Sequence, residues 1–193
     1  MTDYFALLDE PRRLWLDVEN LKQKFLAVSA EVHPDRVHGA SDSEKKTAQE
    51  CYTQLNTAFQ TLSNPRDRVR HLLELELGRK PDELDRVPSE LMDSFMAVAQ
   101  VLREADKCLS EKEKTASPLL QVQLFERAQT FVEKLGGVEK SVVVTRENVI
   151  RELQQLNGAE ILPLRRLEEI YRLLGYYDRW LNQIQERRVR LSF

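Results

Sequence analysis

His33, Asp35 and His38 fall together in the stretch EVHPDRVH, Glu31 to His38. Two imidazoles and a carboxylate are the side-chain types of general acid–base catalysis and of divalent-metal binding. Catalysis would need a nucleophile, or an orienting carboxylate aimed with His33 at one substrate. Asp35 stands two residues away across Pro34, a spacing that does not aim both groups at one point. No G-x-S-x-G, P-loop or G-x-G-x-x-G run accompanies them, and neither H-E-x-x-H spacing nor a set of cysteines supports a metal site. Two further readings remain. In one, Pro34 ends a helix, Asp35 satisfies loop donors and His33 neutralises last-turn carbonyls. In the other, the tripeptide is a displayed surface read by another protein.

The flanking sequence decides what positions these residues. Asp17 stands where an N-cap belongs, and Val18, Leu21, Phe25, Val28 and Val32 recur at helical spacing until Pro34 forbids continuation. Ser41 and Glu44 form an S-x-x-E capping box that opens a second helix with the stripe Ala48, Tyr52, Leu55, Phe59 and Leu62. Two matching stripes predict an antiparallel hairpin with His33-Pro34-Asp35 at its tip. The run SNP, Ser63 to Pro65, ends the second helix and opens a third that closes at Gly78, a C-cap. Gly, Pro and a charge run between Gly78 and Pro88 place a domain boundary there, giving domains of residues 1–80 and 81–193.

The second part opens with the stripe Leu91, Phe95, Val98, Leu102, Ala105 and Leu109, which Met92, Met96 and Ala99 widen. A helix starting at Ser117-Pro118 and another from about Leu164 to Ile184 complete a three-helix bundle. Gly136-Gly137 and the β-branched Val142 to Val144 leave two readings of the stretch between, one kinked helix or two segments. The basic carboxyl terminus, ERRVRLSF, reads as a last helical turn.

Composition agrees with this all-α expectation. Among 193 residues only six are Gly and seven Pro, and 41% are hydrophobic, enough for a sizeable core. A formal net charge of -3 offers no global attraction to nucleic acid or to an acidic membrane. Cys51 and Cys108 lack metal spacing and are expected as buried thiols in a reducing compartment. The amino terminus reads neither as signal peptide nor as transit peptide, so a cytoplasmic protein is expected.

With His-Pro-Asp at a hairpin tip, QLNTAFQTLSNP from Gln54 to Pro65 and Arg36 directly after Asp35, the segment from Tyr4 to about Leu77 resembles a J-domain. A J-domain followed by a helical domain, with neither a Gly/Phe-rich segment nor CxxCxGxG repeats, is similar to the HscB family of iron-sulfur cluster co-chaperones. The resemblance implies an L-shaped two-domain helical protein, not an enzyme and without a cofactor. It implies two partners, a DnaK- or HscA-type heat-shock chaperone whose ATPase it stimulates and an IscU-type iron-sulfur scaffold that it delivers. From the charge balance no nucleic acid and no membrane are expected as partners, and a monomer or weak dimer is expected. The chaperone contact would be His33, Pro34, Asp35 and Arg36, with Lys22 and Lys24 supplying positive charge nearby and Glu31 opposing it. Arg66, Arg68 and Arg70 stand further along as possible compensating charge. The scaffold contact would be Leu91, Met92, Phe95 and Tyr176, although VAQVL replaces the charged run that the family places after its Leu-Met pair. Two other readings stand beside this one. One is a J-domain protein that serves another client or dimerises through its second domain, and the other a small helical enzyme using His33, which would require a concave pocket beside that residue.

Overall fold

The computed structural model describes residues 1–33, 41–81, 88–115 and 118–192. Among these residues are seven α-helices and no strand: α1 (Tyr4–Leu7), α2 (Val18–Glu31), α3 (Asp42–Ser63), α4 (Pro65–Leu77), α5 (Met92–Lys114), α6 (Pro118–Leu156) and α7 (Leu164–Ser192). A 3-10 turn, Ser89–Leu91, leads into α5. The chain gathers into two compact units, Met1–Asp82 with Ile150–Tyr171, and Glu83–Val149 with Arg172–Phe193.

In the first unit, local chemistry sets the helix ends. The Asp17 carboxylate accepts from the N–H groups of Glu19 and Asn20, and Asn64 does the same for Arg66 and Asp67 with Pro65 at the first helical position. Gly78 closes α4 with a φ of 68°, a left-handed conformation that suits glycine, and its N–H donates to the Glu74 carbonyl at 3.1 Å. Phe5, Leu21, Leu55, Ala58, Leu62 and Leu72 are fully or almost fully buried, so α1, α2 and α4 share a core built on α3. Arg68 is the exception to an apolar core. It is 2% exposed, and its guanidinium donates to the carbonyls of Leu14 at 3.0 Å and Leu62 at 2.6 Å. Burial pushes its pKa down to about 10, which leaves it a cation at neutral pH. A charge that sequence reading placed on the surface thus ties the segment before α2 to the last turn of α3.

The helix α6, which belongs to the second unit as far as Val149, runs unbroken from Pro118 to Leu156, through Gly136, Gly137 and the three consecutive valines. Glycine inside a helix costs about 1 kcal/mol relative to alanine. Ala128, Leu135, Val142 and Val149 are all buried, and that packing outweighs the local penalty. The carboxyl-terminal arginines of α7 are engaged within the unit: Arg187 with Asp106 at 3.0 Å, Arg190 with Glu113 at 3.0 Å, and Arg188 with Glu139. Cys108 is buried as expected, whereas Cys51 lies on the exposed side of α3. Its place one residue before Tyr52 puts it off the apolar stripe.

Candidate protein-interaction site

The hairpin of α2 and α3 carries the first candidate site. Its register is fixed by Phe25 and Phe59, whose rings stack 4.7 Å apart at 16°. About two helical turns nearer the tip, the His33 imidazole meets the Tyr52 ring edge-on, with centroids 5.2 Å apart and planes at 78°. The capping box then opens α3: Ser41 N–H donates to Glu44 Oε2 at 2.9 Å and Glu44 N–H donates to Ser41 Oγ. His33 is half-buried, one residue beyond the Val32 C-cap. Pro34, Asp35, Arg36 and His38 lie outside the described residues.

The flanking charges divide. Lys22 and Glu31 are exposed. Lys24 is occupied within the unit, donating to the Asp9 carbonyl at 2.6 Å and pairing with Glu10 at 2.9 Å. Asp9 has a positive φ of 49°, so Lys24 braces the one non-glycine residue with that conformation among the described residues. The expectation that Lys24 is an open contact for a partner is corrected accordingly. The α4 arginines divide likewise, since Arg66 stacks over the Tyr171 ring at 4.7 Å and Arg68 is buried, while Arg70 lies 3.5 Å from Asp67. An enzymatic role for His33 would require a concavity beside it. Three clefts lined by described residues, with volumes near 410, 370 and 230 Å³, do not include His33. Among the described residues no group of three or more His, Cys, Asp or Glu side chains could hold a metal ion, and no helix is long and apolar enough to cross a membrane.

The second candidate site lies on α5 and α7. Leu91, expected as an exposed contact, is 2% exposed and belongs to the core, because the 3-10 turn that ends at Leu91 directs it inward before α5 begins. Met92 is 46% exposed, and Met96, one turn further along, is 54% exposed. Phe95 and Tyr176 are half-buried, and the structure joins them through a residue that sequence reading missed. The buried Trp180 ring lies 6.5 Å from Phe95 and 6.0 Å from Tyr176, with Tyr177 at 5.8 Å. The signal for Trp180 was its place on the α7 stripe, three residues after Tyr177. Arg179 lies over the Tyr176 ring at 5.7 Å. The result is an aromatic base with two flexible, polarisable methionines standing beside it on α5, a surface suited to an apolar protein contact.

No protein-family model matches the chain. It is 33% identical over 104 residues to the co-chaperone protein HscB homolog of Chromobacterium violaceum, a match over 53% of this chain and 59% of that relative. The chain therefore spans about three fifths of that relative's length. Its fold resembles that of chaperone HscB from Vibrio cholerae with a TM-score of 0.69, at 22% identity and 96% coverage of both chains. The match to the co-chaperone protein HscB homolog of Paraburkholderia phytofirmans is 40% identical over 136 residues and covers 70% of this chain and 76% of the relative. On the strength of that match, the chain belongs to the HscB co-chaperone family.

Proposed function

We propose that this chain is a co-chaperone that stimulates the ATPase of a DnaK- or HscA-type heat-shock chaperone and delivers an IscU-type iron-sulfur scaffold to it. In this reading residues 1–80 are the J-domain and residues 81–193 the scaffold-binding domain. His33, Pro34, Asp35 and Arg36 form the chaperone contact, with Lys22 contributing charge. Met92, Phe95 and Tyr176 form the scaffold contact, extended by Met96. The protein acts in the cytoplasm, as a binding partner and not as an enzyme.

The observation that carries the reading is the match to HscB co-chaperones, including one over 136 residues. The hairpin supports it, because the Phe25–Phe59 and His33–Tyr52 ring pairs join α2 and α3 along the stripes that the resemblance requires. The test is single-turnover ATP hydrolysis by such a chaperone, with and without scaffold. Full stimulation by an Asp35→Asn variant with unchanged thermal unfolding would sink the proposal. The expected result is loss of stimulation by about tenfold or more, since the variant removes the charge of a recognised group.

A further inference from the structure

The ring pair at the end of the hairpin assigns a role to a residue of α3. Resting on the reading of the His33 loop as the chaperone contact, we propose that Tyr52 is a positioning residue, holding the His33 imidazole in the orientation in which the tip is recognised.

Three observations lead there. First, His33 lies beyond the last helical residue of α2, Glu31, and beyond its cap, and its ring meets that of Tyr52. Second, Tyr52 is a fixed reference. It sits inside the 22-residue helix α3, whose start is locked by the Ser41 and Glu44 box and whose following turns are anchored by the buried Leu55, Ala58 and Leu62. Third, the contact has the directional, edge-on geometry in which aromatic quadrupoles attract, unlike the parallel stack of Phe25 and Phe59 deeper in the hairpin. The inner pair sets the register of the two helices, and the outer pair uses that register to set one side chain. An imidazole ordered before the partner arrives loses less rotamer freedom on binding. Tyr52 therefore acts on the affinity of the encounter and not on the maximal effect once bound.

The experiment titrates the full chain into a DnaK- or HscA-type chaperone and reads ATPase stimulation for wild type, Tyr52→Phe, Tyr52→Leu and Asp35→Asn. Tyr52→Phe keeps the ring and is expected to match wild type within about twofold. Tyr52→Leu fills a similar space without a ring. It is expected to raise the half-maximal concentration about three- to tenfold while maximal stimulation is kept. A second readout does not depend on the variant folding: in wild-type protein the ring current of Tyr52 displaces the ring-proton NMR signals of His33 from free-histidine positions. An unchanged half-maximal concentration for folded Tyr52→Leu, or wild-type His33 signals at free-histidine positions, overturns the inference. Unimpaired stimulation by Asp35→Asn overturns the loop reading and this inference with it, and is recognised by that variant alone.

Discussion

Lys22 and Lys24 stand two residues apart on α2, and residues at that spacing point to opposite sides of a helix. Their energetics differ accordingly. The Lys24 ammonium is bound to the Asp9 carbonyl and the Glu10 carboxylate, of which the Glu10 side chain is only 9% exposed. Removing it leaves a carbonyl at a positive-φ residue and a nearly buried carboxylate without their cation. Lys24→Met is therefore expected to destabilise the first unit by about 1–2 kcal/mol, a melting shift of several degrees. Lys22 is exposed. Lys22→Glu is expected to leave melting unchanged and to raise the half-maximal concentration for ATPase stimulation severalfold at low salt, less at high salt. Differential scanning calorimetry and a salt series of stimulation assays check the pair. Equal melting points for the two variants would remove the distinction. Their separation was invisible in sequence because the partner of Lys24 lies across the chain at Asp9 and Glu10, whereas Lys22 and Lys24 read alike as a basic face.

At the scale of elements, the helix ends of the first unit were legible because their determinants are local: Asp17, Ser41 with Glu44, Asn64 with Pro65, and Gly78 each act within a turn of themselves. The course of α6 through Gly136 and Gly137 was not legible, since burial by other helices overrides local propensity there. Nor was the contact that α1 makes with a histidine of α4, beside its packing on α3. His71 is buried, stacks 4.5 Å from the Tyr4 ring, and its Nε2 accepts from the Tyr4 N–H at 3.0 Å. That bond requires an unprotonated Nε2. Burial pushes the His71 pKa below 6.5, with Arg70 and Arg12 lowering it further and the carboxylates of Asp3 and Glu74 opposing. The folded pKa lies below the unfolded one, so between the two values the unfolded chain carries a proton that the folded chain lacks. The stability is present above pH 6.5 and is lost as pH falls through the folded pKa. A second loss follows at lower pH from Asp3. Burial opposes its shift, but Arg12 and the N–H groups of Ala6 and Phe5 hold its carboxyl below the usual range. His71→Gln, which keeps an acceptor and cannot titrate, is expected to lower the slope of melting temperature against pH between pH 7 and 5. A slope equal to wild type would show that α1 docking is not linked to this proton.

For the whole molecule, the two proposed contacts lie in separate compact units, one at the His33 tip and one on α5 and α7. Two activities carried by different residues should be separable by substitution. Leu91 cannot serve this purpose: at 2% exposure, Leu91→Ala is a core deletion expected to cost about 2–5 kcal/mol and to reduce client capture by unfolding. Met92 and Met96 are exposed, so replacing both with glutamate leaves the core intact and puts two charges into an apolar contact. The double variant is expected to lower capture of an IscU-type scaffold by about tenfold or more while stimulating the chaperone fully in the scaffold's absence. Asp35→Asn should do the reverse, capturing scaffold and failing to stimulate. Pull-down of purified scaffold and a scaffold-free ATPase assay on the same preparations decide it. If the methionine variant retains scaffold at wild-type strength, the α5 surface serves another client or a second copy of the chain. If both variants lose both activities, the two units do not act through separate contacts.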